Sequence, residues 1–183
     1  PSEVEQILGG ITKNIGLIGK RFGTVTADIN GHNVEITTFR GESYDENSRQ
    51  PTVEFGRSIE EDLSRRDFTV NAIAYDLIRP RLLDPHHGQA DLEGRIIRAV
   101  GDPKNRFNED PLRLLRAIRL AVTLDFTIEP ATFAAIKLVP ERLAILSAER
   151  IAQELDKILL APKPSRGIDL LVESRLINYI LPE

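Results

Sequence analysis

A segment at residues 109–119, EDPLRLLRAIR, combines acidic and basic side chains at spacings that could bind a polar ring. Asp110 and Arg113 are three residues apart, and Arg116 and Arg119 continue the same spacing. Side chains three apart on a helix lie on one face. The segment therefore predicts a carboxylate and a row of guanidinium groups that act together.

An acceptor beside a guanidinium group is a small hydrogen-bonding template. Because Pro111 is tolerated only in a first helical turn, Glu109 and Asp110 are predicted to lie at the start of the helix. Cytosine and adenine each present an amino donor next to a ring-nitrogen acceptor. The carboxylate of Asp110 can accept from the amino group, and Arg113 can donate to the ring nitrogen. Uracil and guanine reverse that order, so such a pair would select C and A without a template strand.

The alternative for this segment is an ordinary ion pair on a solvated helix, worth only about 0.2–0.5 kcal/mol. Three arginines on an otherwise apolar helix argue against that alternative, because like charges on one face favour an anionic partner.

A second segment, RRDFTVNA at residues 65–72, offers groups for phosphates and a sugar. The adjacent Arg65 and Arg66 could hold a triphosphate, since guanidinium groups match phosphate oxygens. Asp67 can accept from a ribose hydroxyl, and Asn71 lies on the same face if the segment is helical. The alternative is a basic helix end with a capping aspartate. Either segment alone is a moderate signal, whereas the two together indicate a nucleotide site.

The first part of the chain has a mixed α/β pattern. Residues 22–29 and 34–39 are rich in Val, Ile, Thr and Phe, and Asn30-Gly31 between them predicts a β-hairpin. The polar residues 41–51 predict a flexible loop. Ser58 and Glu61 form a capping-box pattern that opens a helical stretch, which runs on into residues 65–77.

The second part of the chain is predicted to be helical. Leu112, Leu115, Ile118 and Val122 repeat at helical spacing. Further helical segments follow, separated by prolines. The change of pattern indicates a domain boundary near residue 102.

Composition limits the other possibilities. The chain has 183 residues, 41% of them hydrophobic and 28% charged, with a net charge of −4. Bulk charge therefore does not draw it to nucleic acid, and any polyanion would bind through local arginines. No cysteine occurs, which excludes disulfides and thiolate metal sites and suits a reducing cytoplasm. No apolar run approaches the roughly 20 residues of a membrane helix, so a membrane partner is not expected.

Four stretches of the chain resemble one known family. RRDFTVNAIAYD and EDPLRLLRAIR resemble the ribose/triphosphate motif and the base-selecting motif of the class II tRNA nucleotidyltransferase and bacterial poly(A) polymerase family. DPHHGQADLEGRIIRAVGDPKNRFNED is similar to its connecting region, and ERIAQELDKILLAPKPSRGIDLLVESRLI to its helical neck. The implied fold is α+β: the C-terminal part of a polymerase-β-like nucleotidyltransferase head with a β-hairpin, residues 1–102, followed by an all-helical neck, residues 103–183.

The resemblance implies transfer of CMP and/or AMP from CTP or ATP to an RNA 3′ end, as in synthesis or repair of the tRNA CCA end. A poly(A) polymerase and a non-catalytic nucleotide- or RNA-binding derivative are the alternatives. By the resemblance Arg66 contacts phosphate, Asp67 and Asn71 contact the sugar, and Glu109 caps or orients the helix start. The resemblance assigns base reading or its support to Asp110, Arg113, Arg116 and Arg119.

The metal centre of the family is not matched. Its members carry a Gly-Gly-x-Val-Arg-Asp stretch and an Asp-x-Asp pair, whereas no Asp-x-Asp occurs here and Gly9-Gly10 is followed by Ile11-Thr12-Lys13. Phosphoryl transfer of this kind needs metal ions, so Mg²⁺ is expected in a full-length parent and the 183 residues alone are expected to be an inactive fragment. By the resemblance Glu35 stands next to the metal site, and Arg40 is a weaker phosphate candidate.

Overall fold

The computed structural model describes residues 2–18, 23–43, 52–55 and 58–181, with the side chains of 40–43 and 52–55 left aside. The chain forms two compact units, Pro1–Arg65 and Arg66–Glu183. Residues 44–51 of the predicted loop lie outside the described part, whereas residues 41–43 belong to a strand.

The first unit is built around an antiparallel hairpin. Its central Asn30 and Gly31 have φ values of 54° and 80°, the left-handed pair that a tight two-residue turn requires. The predicted hairpin is therefore confirmed, and Val25 and Ala27 place their side chains in a small core with Leu8. The described elements of this unit are α1 (Ser2–Gly9), β1 (Ile15–Gly16), β2 (Thr24–Ile29), β3 (His32–Thr37), β4 (Arg40–Ser43), β5 (Thr52–Phe55) and α2 (Ile59–Ser64).

Ser58 caps the start of α2 as predicted, but the helix is shorter than the sequence predicted. The Ser58 side chain accepts from the backbone N–H groups of Glu60 and Glu61. The helix ends at Ser64, and the predicted continuation into residues 65–77 is wrong. Phe68 is extended and forms an antiparallel bridge with Ala99, so a long-range pairing replaces the helix here.

The second unit is mainly helical and is packed around α5. Leu114, Leu115 and Ile118 of this helix are fully buried, and Phe68 and Ile97 belong to the same core. Its described elements are a first 3₁₀ helix (Thr69–Asn71), β6 (Ala74–Asp76), β7 (Arg81–Leu83), α3 (Gly88–Glu93), β8 (Ile96–Ile97), α4 (Pro103–Glu109), α5 (Leu112–Leu124), β9 (Thr127–Ile128), α6 (Pro130–Leu138), a second 3₁₀ helix (Pro140–Ile145), α7 (Ala148–Leu159), α8 (Pro164–Glu173) and α9 (Ile177–Ile180).

The part after residue 102 is helical with one exception. β9 pairs in parallel with β8, so that Ile96 lies opposite Thr127 and Ile97 opposite Ile128. Asp125, with a φ of 56°, ends α5 in the left-handed conformation and turns the chain towards β8. The first compact unit ends at Arg65 and the second begins at Arg66, whereas the domain boundary predicted from sequence near residue 102 stays a prediction.

No helix among the described residues is long and apolar enough to cross a membrane.

Candidate nucleotide-binding site

The RRDFTVN segment is fixed by backbone pairing within the second unit. The Asp67 carbonyl accepts from the Val100 N–H at 3.1 Å, and the Thr69 N–H donates to the Arg98 carbonyl at 2.9 Å. Immediately after this bridge the chain turns through the first 3₁₀ helix. The turn, rather than an α-helix, therefore sets the directions of the side chains that follow Phe68.

The Asp67 carboxylate joins the two predicted segments. Its Oδ1 accepts from the Phe68 N–H at 2.8 Å and from Asn71 Nδ2 at 3.0 Å. Its Oδ2 accepts from Arg116 Nε at 2.8 Å, and Arg116 Nη2 also contacts it. Asp67 and Asn71 thus share a site as predicted, although the segment is not α-helical. Arg116, 49 residues further along the chain, completes it.

Asp67 is held in its charged form. Only 8% of the residue is exposed, and burial by itself would raise its pKa. The positive charge of Arg116 and the hydrogen bonds from Asn71, Arg116 and the Phe68 N–H outweigh burial, so the pKa of Asp67 lies below its usual value. The carboxylate is therefore a permanent acceptor near neutral pH.

The two adjacent arginines differ in their surroundings. Arg65 Nη2 pairs with Asp62 Oδ1 of α2 at 2.6 Å. Arg66 is exposed, and its Nη1 donates to the Asn71 carbonyl at 3.4 Å. Arg66 therefore presents its guanidinium group at the surface beside the Asp67–Asn71 turn.

Glu109 and Asp110 make different contacts at the junction of α4 and α5. Asp110 Oδ1 accepts from the Leu112 N–H, the first N–H of α5, at 3.1 Å. Glu109 Oε2 pairs with Arg106 Nη1 at 2.9 Å and with Arg113 Nη1 at 2.8 Å. The i,i+4 partner of Arg113 is therefore Glu109, which orients the Arg113 side chain, whereas the base-reading part of Asp110 stays a prediction.

Arg113 and Arg119 are both engaged within the protein. Arg113 is 7% exposed and donates from Nη1 to the Arg106 carbonyl at 3.0 Å. Arg119 Nε lies 2.9 Å from Glu154 Oε2, and Glu154 also pairs with Lys157. These contacts link α5 to the preceding helix through Arg113 and to α7 through Arg119.

Sequence reasoning did not single out the polar groups that support this site. Buried Asp91 accepts from the Thr69 hydroxyl at 2.7 Å and from Arg98 Nε at 3.0 Å. Arg98 Nη1 also pairs with Glu129 Oε1 at 3.2 Å, and Glu129 Oε2 accepts from the Thr132 N–H at 2.7 Å. The sequence feature that could have identified these groups is the connecting region. It is long, and it holds acidic and basic residues at turns and helix starts.

Gly88 shows why that connecting region must pack closely. A Cβ at this position would lie 2.1 Å from the Thr69 carbonyl oxygen. The start of α3 therefore rests against the first 3₁₀ helix. Asp84 fixes this helix start, since its two carboxylate oxygens accept from the N–H groups of Gly88 at 2.7 Å and Gln89 at 2.9 Å.

Glu35 lies in the first unit on the exposed face of β3, opposite Thr26. The described residues contain no group of three or more His, Cys, Asp or Glu side chains that could hold a metal ion. The Arg40 side chain lies outside the described side chains.

Family models and known proteins match most of the chain. A family model described as the poly A polymerase head domain matches residues 1–98. A second model, described as a probable RNA and SrmB-binding site of polymerase A, matches residues 125–183. The CCA-adding enzyme of Geobacillus sp. (strain WCH70) is 47% identical over 181 residues, which are 98% of this chain and 44% of that protein.

Solved structures of CCA-adding enzymes are also similar to the chain. The structure of the Bacillus stearothermophilus CCA-adding enzyme in complex with CTP matches 91% of this chain and 40% of its own, with a TM-score of 0.81 at 40% identity. The Thermotoga maritima CCA-adding enzyme complexed with tRNA matches 98% of this chain and 41% of its own, with a TM-score of 0.79 at 28% identity. The chain therefore spans less than half the length of the relatives that it matches.

Proposed function

This chain belongs to the poly A polymerase and CCA-adding nucleotidyltransferase family, and we propose that its second unit selects CTP or ATP for a template-independent nucleotidyltransferase. The observation that carries the proposal is the Asp67–Arg116 ion pair. It brings the segment at residues 65–72, proposed to bind sugar and phosphate, against α5, which carries Arg113 of the proposed base-reading pair. Related CCA-adding enzymes have been solved in complex with CTP and with tRNA, which supports the same substrates here.

The side chains then have separate parts. Arg66, exposed beside the turn, binds phosphate. Asp67 accepts from the ribose hydroxyls and Asn71 donates to them. Arg116 holds Asp67 in its charged form. Asp110 and Arg113 read the pairing edge of the base, while Arg119 fixes α5 against α7.

For the whole protein we propose addition of CMP and/or AMP to the 3′ end of tRNA. The proposed modules are a head at residues 1–102 and a neck at 103–183. Mg²⁺ would supply charge stabilisation in phosphoryl transfer. Nucleotide selection is the part of the reaction that we assign to the described residues. Glu35 stays a proposed neighbour of the metal.

The proposal is tested by titrating CTP, ATP, UTP and GTP against the chain and its Asp110→Asn variant. Asparagine keeps an oxygen that can accept from the Leu112 N–H, so this bond at the start of α5 persists. It also replaces a carboxylate oxygen by an N–H₂ group, so that a donor would face the amino donor of C or A. We expect CTP and ATP to bind about tenfold more weakly to the variant, in line with the loss of a hydrogen bond to a charged group.

Asp102→Asn is the matched control. Asp102 likewise accepts a backbone N–H at a helix start, with Oδ1 accepting from the Asn105 N–H of α4 at 2.8 Å, and it carries no proposed base contact. This variant should bind CTP and ATP as the unaltered chain does. Equal binding of all four nucleotides to the unaltered chain would contradict the proposed function.

A further inference from the structure

Arg142 contacts the end of α4 although it lies far along the chain from both motifs. From the second 3₁₀ helix, its Nη2 donates to the Asn108 carbonyl at 2.8 Å. Carbonyl groups in the last turn of a helix lack partners within the helix, and a cation there also interacts favourably with the helix dipole. Arg142 therefore supplies a bond that α4 cannot make for itself.

The segment that carries Arg142 is firmly anchored. Leu143 beside it is fully buried in the main core, and Val139 and Leu146 on either side are buried as well. The position of the Arg142 backbone is thus set by packing. Because the backbone of Arg142 is fixed, its guanidinium group holds the Asn108 carbonyl in a fixed position.

The connection between α4 and α5 is short and rigid. Only Asp110 and Pro111 separate the two helices, and Pro111 has a fixed φ of −61°. The Asn108 carbonyl is two residues from Asp110, so a shift of this carbonyl moves the backbone that carries the Asp110 carboxylate. Arg142 Nε is buried and forms no hydrogen bond with the described residues. Burial of an unpaired N–H opposes stability, so stability alone does not account for an arginine here.

We propose that Arg142 is a positioning residue for base selection. By holding the Asn108 carbonyl, it keeps Asp110 at the distance from which Asp110 and Arg113 read the pairing edge together. The inference rests on the proposed function, because it assigns Arg142 to the same nucleotide site.

The test compares CTP and UTP binding to the chain and to its Arg142→Met variant. Methionine keeps much of the aliphatic stem but cannot donate to the Asn108 carbonyl. We expect the ratio of CTP to UTP affinity to fall about three- to tenfold, the size of change that a modest displacement of one hydrogen-bonding group gives. If the methionine variant does not fold, Arg142→Gln is measured against the same criterion.

Arg166→Met is the matched control. Arg166 of α8 also donates from Nη2 to a backbone carbonyl, that of Phe126 at 2.7 Å, but this carbonyl follows the C-terminal end of α5, whereas Asp110 precedes its N-terminal end. Its loss should lower the urea midpoint and leave the CTP to UTP ratio unchanged.

The outcomes separate the two proposals. A lower ratio for Arg142→Met, beside an unchanged ratio for Arg166→Met, supports the inference. An unaltered chain that prefers CTP, together with an Arg142→Met variant that keeps the preference or weakens both nucleotides equally, overturns the inference alone. An unaltered chain that binds both nucleotides equally overturns the inference together with the proposed function.

Discussion

Single side chains connect the two sequence motifs, residues 65–72 and 109–119. The sequence placed Asp67 and Asn71 together and set Arg116 among the supporting residues, but it could not show that Arg116 contacts Asp67 from 49 residues away. The sequence also could not show which of the two adjacent carboxylates, Glu109 or Asp110, accepts from the first N–H of α5. The extended backbone of Asp110 gives that bond to Asp110.

Asp67 provides a pH-dependent test at this scale. Its pKa is lower in the folded chain than in the unfolded one, where it is about 3.9. The ion pair therefore contributes its full stability above the unfolded pKa, and that contribution is lost as the pH falls through the folded pKa. Asp67→Asn should lower the free energy of unfolding by about 1–3 kcal/mol at pH 7, in the range for a buried charged hydrogen bond. Urea unfolding at pH 7 and pH 3 measures the difference, which should shrink in acid.

Asp125→Asn is the control for this measurement. Asp125 also has a lowered pKa, caused first by the hydrogen bond from Lys163, but it lies at the surface. Solvent screens such a pair, so its removal should change stability much less than removal of Asp67. A difference between the unaltered chain and Asp67→Asn that stays constant from pH 7 to pH 3 would show that the Asp67 charge does not stabilise the fold.

At the scale of elements, local signals predicted local structure well. Asn30-Gly31 predicted the hairpin because its turn needs two residues with positive φ, and Ser58 predicted the start of α2 because its hydroxyl caps the helix. The predicted helix through residues 65–77 failed because Phe68 pairs with Ala99 across the unit. Such pairing depends on residues far along the chain, which a local pattern does not register.

Gly88 tests whether the packing of α3 against the first 3₁₀ helix supports the site. Gly88→Ala would bring a Cβ to 2.1 Å from the Thr69 carbonyl, so the backbone must shift. We expect a loss of about 1–3 kcal/mol in the free energy of unfolding, as overpacking in a close-packed interior usually gives. Weaker CTP binding should accompany it, because Thr69 follows the Asp67–Phe68 pair. Urea unfolding and CTP titration measure the two effects.

Gly9→Ala is the matched control, since a Cβ at Gly9 meets no heavy atom within 4 Å. It should change stability by no more than about 0.5 kcal/mol, as for most surface substitutions. If both alanine variants behave alike, the close approach of α3 does not constrain the nucleotide site.

For the whole molecule, the units differ in how much apolar surface they bury. Among the described residues, the core of the second unit holds 19 buried hydrophobic side chains and that of the first holds 3. Composition alone did not reveal this difference, because apolar residues occur along the entire chain. The sequence placed its boundary near residue 102, where turn residues interrupt the pattern. Phe68 and Ile97, which precede that residue, belong to the core around α5. A pattern of turns cannot show this long-range packing, and the boundary near residue 102 stays a prediction.

The unequal cores predict that the two units open separately. Burial of a large apolar side chain contributes about 1.5–3 kcal/mol, so α5 should open only at a free energy near that of global unfolding. The β2–β3 hairpin, supported by Leu8, Val25 and Ala27, should open several kcal/mol more easily. Native-state hydrogen exchange in increasing urea measures both, and the slope for α5 amides should be the steeper because more surface is exposed. Equal opening free energies for the hairpin and α5 would mean that one cooperative transition unfolds the chain, and the small core of the first unit would then not act as an independent one.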